Sequence, residues 1–272
     1  MESRSVGVTV TGASGFLGSE VMRTLRSYGV DVVGYVRGSK PGLTNVGSYD
    51  GIVTTDCLIH LDKNSKRGEV NYLGTEYINT TIQTCKSLLG KKFARVVYAS
   101  SAIFYGDNAT EPHLETNPAI VTDTYGKTKI ACENLILRSP HNCLARLSNL
   151  YSLGMDSSTV FYDILQQSHK GNKIVPSNMR PICYFLWLAD AAKGISKMAL
   201  MLAPMGCINF GSGIGTSISQ LSKLMAAAAN QKNVCLISRE QKSNKTSSIV
   251  LDVGKALSLL NRSPTVTIDQ GA

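Results

Sequence analysis

The stretch TVTGASGFLGS, residues 9–19, sets Gly12, Gly15 and Gly18 at intervals of three directly behind the apolar alternation Val6, Val8, Val10. That alternation has strand period, while Val21, Met22 and Leu25 behind the glycines have helical spacing as far as Tyr28-Gly29. The glycines therefore occupy a strand-to-helix turn. The first N–H groups of a helix lack intrahelical partners and, with the positive end of the helix dipole, favour an anion that no side chain blocks. A glycine triplet alone can be just a tight turn. Its place between strand and helix predicts a phosphate-binding loop at the edge of a parallel sheet.

The rest of the chain keeps that rhythm. Residues 30–36 (VDVVGYV), 57–61 (CLIHL), 95–100 (RVVYAS) and 143–147 have strand character, with helices expected over 71–89 and 125–138. Alternation of this kind means βαβ units, so the expected fold is α/β, a doubly wound parallel sheet of Rossmann type with a smaller C-terminal substrate lobe. Beyond 150 the pattern loosens: a helix near 157–170, an irregular stretch through Pro176 and Pro181, a helix from about Asp190, a strand at 207–210, a helix over 217–230 and a strand at 234–238. The expected organisation is a dinucleotide-binding domain over 1–155, with 183–212 returning to it, and a lobe from 156–182 and 213–272.

A chain of 272 residues with 43% hydrophobic content fills a sizeable core. No stretch approaches the roughly 18 apolar residues of a membrane span, and MESRSVGVTV shows no signal-peptide pattern, so the expected location is cytoplasmic with no membrane partner. Seven scattered cysteines without a Cys-x-x-Cys pair suit reduced core thiols, with neither a disulfide framework nor a metal site. The net charge of +9 comes from short groups such as Lys63 with Lys66-Arg67, and Lys91-Lys92. Without a long basic run or an aromatic stripe, the charge is permissive for a nucleotide ligand, and nucleic acid is not the expected partner.

Two further stretches follow strands and reach the same edge as the glycines: SSAIFYG at 100–106 and TYGKTK at 124–129. Tyr125 and Lys129, four apart on a helix, share one face. A nearby ammonium lowers a tyrosine's pKa, which would make Tyr125 a general acid and base near neutral pH. Taken alone, a solvated lysine beside a tyrosine is the plainer explanation, because such spacing arises by chance.

The order TGASGFLG, HL at 60–61, NYLGT at 71–75, SSAIFYG, YGKTK and RLSNLYSLG at 146–154 resembles the extended short-chain dehydrogenase/reductases, the NAD-dependent epimerase/dehydratase group that modifies nucleotide sugars. FLWLADAAKGI at 185–195, INFGSGIGTSISQLSKL at 208–224 and LDVGKALSLLNRSPTVTIDQG at 251–271 extend the likeness over nearly the whole chain. The resemblance implies that Gly12, Ser14, Gly15, Phe16, Leu17, Gly18, Arg37, Leu61, Asn71, Ser100, Tyr125 and Lys129 contact a dinucleotide. It implies that Ser101, Tyr125 and Lys129 are catalytic, and that Ser101, Ile103, Asn149 and Arg180 face the substrate. It also implies a homodimer through helices 71–89 and 125–138, with Tyr72, Ile78, Ile82, Ile130 and Leu137 as interface candidates.

The chain departs from the family pattern in places. Asp62-Lys63 replaces the usual Ala-Ala after His60-Leu61, and the adenine-contacting acid has two candidates, Asp50 and Asp56. Where an NAD site usually presents an acid, the second strand ends Arg37-Gly38-Ser39-Lys40, which suits the 2′-phosphate of NADP(H); an exposed basic turn is the plainer reading, and NAD(H) is the alternative cofactor. Ala102-Ile103 stand where 4,6-dehydratases carry an acid pair. The expected function is an NADP(H)-dependent ketoreductase acting on a nucleotide-linked keto-sugar, with an NAD-retaining epimerase as runner-up. A non-catalytic sensor or RNA-binding protein on the same scaffold has no need of Ser101, Tyr125 and Lys129 together.

Overall fold

The computed structural model describes residues 6–61, 66–106, 111–171, 173–201, 203–231, 234–239, 248–261 and 264–271. The first half runs β1 (Val8–Thr11), α1 (Phe16–Ser27), β2 (Val32–Val36), β3 (Thr44–Asn45), β4 (Cys57–His60), α2 (Arg67–Gly90), β5 (Arg95–Ser101), α3 (Thr124–Ile136) and β6 (Cys143–Leu147). The second half runs β7 (Asn149–Tyr151), α4 (Val160–Lys170), β8 (Lys173–Ile174), β9 (Ile182–Trp187), α5 (Leu188–Leu200), β10 (Gly206–Phe210), β11 (Gly215–Ser217), α6 (Ile218–Ala228), β12 (Cys235–Leu236), α7 (Gly254–Leu260) and α8 (Ile268–Gly271).

Seven strands form one sheet in the order β10-β6-β5-β4-β1-β2-β3, with every adjacent pair parallel. This is the doubly wound, Rossmann-type order, in which the chain leaves β1 in one direction and returns to its other side from β4 onward. All four residues of β1 are fully buried, as a central parallel strand covered on both faces requires. One face packs on α1 and α5 through Val8, Val10, Val21, Leu25, Ile195 and Met198. The other packs on α2 and α3 through Leu58, Tyr98, Leu144, Cys85 and Cys132.

A separate apolar cluster of Tyr151, Phe161, Ile164, Phe185, Leu221 and Met225 joins α4, α6 and a three-stranded sheet, β11-β9-β7. Ser217 and Gln220 close a reciprocal capping box that starts α6. The irregular stretch expected through Pro176 and Pro181 gives way directly to β9, a strand the pattern did not indicate, where ICYFLW pairs with β7 and β11. α2 starts four residues earlier than expected and is interrupted at Gly74, whose φ of 59° and ψ of −142° leave the helical region.

Among the described residues no helix is long and apolar enough to cross a membrane, and no His, Cys, Asp and Glu group can hold a metal ion. All seven cysteines carry free thiols.

Candidate active site

The parallel sheet brings the carboxyl ends of β1, β2, β4 and β5 to one edge, and each carries a sequence-predicted residue there. Gly12 follows β1 with a φ of 71°, and Gly15 is the N-cap of α1. No side chain caps that helix and its first turn holds no acid. A Cβ on Gly18 would stand 2.0 Å from the Gly12 carbonyl oxygen, so only glycine lets the helix start this close to the turn. Ser14 and Gly15 are exposed, and Phe16 and Leu17 half-buried. These features fit a dinucleotide: backbone N–H groups face an open approach, and the first turn of α1 sets no acid against a pyrophosphate.

Arg37 lies exposed directly behind β2, and the Gly38 amide donates to Asn45 Oδ1 at 3.0 Å, which ties this turn to β3. Leu61 leaves β4 toward the glycine turn, its amide donating to the Thr11 carbonyl at 3.2 Å; Asp62 and Lys63 lie outside the described residues. The two adenine candidates both sit at the opposite edge. Asp56 precedes β4 and accepts the Gly7 amide at 2.9 Å, while Asp50 accepts the Ser87 hydroxyl at 2.6 Å near the end of α2. Neither belongs to the cofactor edge.

β5 ends at Ser101, whose Oγ accepts the Ile103 amide at 3.3 Å and whose hydroxyl stands close enough to the Tyr125 side chain to lower its pKa. Ser100, its neighbour in β5, has a buried hydroxyl without a hydrogen-bond partner among the described residues. Lys129, one turn past Tyr125, is buried; its Nζ donates to the Ala99 carbonyl at 2.9 Å and lies 5.8 Å from the Tyr125 ring centroid and 5.1 Å from that of Tyr98. The predicted Ser101, Tyr125 and Lys129 therefore meet.

Their electrostatics differ from the sequence expectation. Burial raises the Tyr125 pKa above the usual phenolic value, with the Ser101 hydroxyl opposing it, so the tyrosine rests protonated. Burial also lowers Lys129 to about 8. The expected lowering of the tyrosine by its lysine fails because both side chains are withdrawn from water and the ammonium spends a hydrogen bond on Ala99.

Asn71 occupies a place no spacing rule indicates. Its Oδ1 accepts the Tyr125 amide at 3.0 Å, and its Nδ2 donates to Asp123 Oδ2 at 3.2 Å. Asp123, the N-cap of α3, also accepts the Gly126 amide at 2.8 Å and pairs with Arg67. Burial works against the Asp123 carboxylate, but these donors outweigh it and hold its pKa below the usual range. On the lobe side, Asn149 is exposed at the start of β7 and Arg180 is exposed before β9.

An uncapped helix start beside a half-buried serine and tyrosine over a buried lysine is the arrangement of a nicotinamide-dinucleotide enzyme of the short-chain dehydrogenase/reductase type. Residues 8–209 match the NAD dependent epimerase/dehydratase family, and the chain belongs to that family of enzymes. A UDP-glucose 4-epimerase of Halalkalibacterium halodurans is 30% identical over 150 residues, which span 48% of this chain and 45% of that protein. A UDP-glucose 4-epimerase of Dictyostelium discoideum is 27% identical over 234 residues, 74% of this chain and 67% of its own. The chain thus spans from under half to two thirds of these curated relatives. Among solved structures, the UDP-glucose 4-epimerase of Thermotoga maritima with UDP-glucose superposes at a TM-score of 0.85 and 18% identity, covering 97% of this chain and 96% of its own. RMD from Pseudomonas aeruginosa complexed with NADPH gives 0.84 at 19% identity, covering 98% and 96%.

Proposed function

We propose that this protein is an NADP(H)-dependent ketoreductase acting on a keto-sugar attached to a nucleotide. The observation that carries the cofactor choice is the end of β2, where Arg37 stands exposed and Ser39 and Lys40 follow, with no acid in the turn. A guanidinium there suits a 2′-phosphate, whereas an acid would suit free ribose hydroxyls. When bound, the dihydronicotinamide supplies a hydride to the substrate carbonyl carbon.

The chain's own residues do the rest. The turn from Gly12 to Gly18 takes the pyrophosphate on the α1 N-terminus. The Ser101 hydroxyl orients the carbonyl, and Tyr125, protonated at rest, gives its proton to the carbonyl oxygen as negative charge develops there. Lys129, whose Nζ lies 5.8 Å from the Tyr125 ring centroid, is the group proposed to hold the nicotinamide ribose. Ile103, Asn149 and Arg180 are the proposed substrate contacts. Ala102 and Ile103 offer no acid or base for dehydration.

Epimerisation of a nucleotide sugar with retained NAD is the second reading, favoured by the UDP-glucose 4-epimerases among the relatives. We also propose a homodimer through α2 and α3, which leave Tyr72 92% and Leu137 39% exposed. The deciding experiment offers a panel of nucleotide-linked keto-sugars and follows NADPH absorbance. Net consumption with one of them supports the reductase. No consumption, together with interconversion of UDP-hexoses without added cofactor, supports the epimerase.

A further inference from the structure

Arg146, in the middle of the apolar run CLARL of β6, is buried, and its guanidinium is the hub of a polar cluster beside the Ser101, Tyr125 and Lys129 site. Its Nε and one terminal nitrogen grip both carboxylate oxygens of Glu133, also buried, at 2.7–3.3 Å. The other terminal nitrogen donates to the Tyr105 hydroxyl at 2.6 Å and to the Glu115 carbonyl at 3.1 Å. Tyr105 in turn donates to Asn209 Oδ1 at 2.8 Å, and Asn209 Nδ2 donates to the His113 carbonyl at 2.8 Å. The guanidinium also lies 4.9 Å and 4.8 Å from the ring centroids of Phe104 and Tyr105.

The segments joined in this way are the ones that carry the reacting groups. Glu133 lies one turn past Lys129, and Lys129 one turn past Tyr125, so the three share a face of α3. Tyr105 closes the short turn that begins at Ser101. At its N-terminal end α3 is held by a more exposed clamp, Arg67 and Asn71 on Asp123 and Asn71 on the Tyr125 amide. Five directed N–H groups in one plane are what two segments need to be held in a single relative position, and a lysine cannot reproduce that fork.

We infer that Arg146, with Glu133 and Tyr105, is a positioning residue that sets the distance between the Ser101 turn and the Tyr125 face of α3. This inference rests on the catalytic reading above.

The test compares wild type with Arg146→Lys, Tyr105→Phe and Tyr125→Phe, each labelled with 13C at tyrosine Cζ. The Tyr125 resonance is followed with pH, NADPH affinity by calorimetry, and turnover as NADPH consumption with a UDP-linked 4-keto-hexose. Arg146→Lys should lower kcat about 10- to 100-fold, as expected for small misplacement of reacting groups, while KM and NADPH affinity stay within about 2-fold. The Tyr125 resonance should move as the ring shifts relative to the Ser101 turn. Tyr105→Phe keeps the ring and removes one link of the chain, so it should give a smaller change of the same kind, and it decides the matter if Arg146→Lys does not fold. Unchanged kcat and an unchanged Tyr125 resonance in whichever of the two folds would overturn the inference. Full turnover by Tyr125→Phe would instead overturn the catalytic reading, and the Tyr125 resonance in Arg146→Lys would still decide the positioning role.

Discussion

The glycine turn after β1 and the cluster after β5 stand at one sheet edge, yet they are built from opposite materials. The turn works by leaving side chains out: Gly18 lets α1 start against the Gly12 carbonyl, and backbone N–H groups are left facing the approach. The cluster works by packing side chains in: Lys129 is buried beneath Tyr98 and Tyr125, and its surroundings reset the pKa of both partners. A site made of backbone is defined by a few neighbouring residues, whereas a site made of buried charge depends on everything packed around it.

The sharpest way to break this contrast is to damage one half and read the other. Tyr125→Phe keeps the ring and removes the proton donor, so kcat should fall by about 10² to 10⁴ while NADPH affinity barely changes. Ordinary turnover by this variant would remove Tyr125 from the mechanism. Gly18→Ala should do the converse. Its methyl group would meet the Gly12 carbonyl oxygen at 2.0 Å, so the helix start must retreat. Losing two charge-assisted N–H bonds to the pyrophosphate weakens NADPH binding by at least about 100-fold, read by calorimetry. A Gly18→Ala protein with wild-type affinity would show that the turn is not the phosphate site.

The buried lysine makes a prediction of its own. Below pH 8 Lys129 is charged in both the folded and unfolded states, and the fold bears the full cost of burying that charge. As the pH rises from about 8 toward 10.5 the folded protein releases the proton while the unfolded chain keeps it, so stability attributable to Lys129 rises. In urea unfolding, wild type should gain on the order of 3 kcal/mol over Lys129→Met across that window. A constant difference between the two proteins would mean the lysine is better solvated than its burial implies.

The same contrast explains what the sequence makes legible. The glycine spacing, β6 and the Tyr125–Lys129 pair follow from local pattern, and the structure places each where the pattern puts it. β3 has only two residues, Thr44–Asn45, too few for periodicity to register. β9 is masked by Pro176 and Pro181 nearby, although ICYFLW has the aromatic and branched character of a strand. The raised pKa of Tyr125 has no local signal, since the burial comes from the packing of other elements. The Arg146–Glu133 pair does have one: each is a lone charge inside an apolar run, CLARL and IACENLI, and such charges are buried only when paired.

The smallest expected effect bears most directly on the central claim, that the cofactor edge is built for NADP(H). Calorimetric titration of wild type and Arg37→Asp with NADPH and NADH at one fixed salt concentration compares the 2′-phosphate with its absence at a single residue. A guanidinium bound to that phosphate contributes about 1.5–3 kcal/mol, so the NADPH-to-NADH preference should fall by at least about 10-fold in the variant. Wild type should bind NADPH the more tightly. Equal binding of NADH and NADPH by wild type, with no swing in Arg37→Asp, would contradict the claim and move the NAD-retaining epimerase ahead.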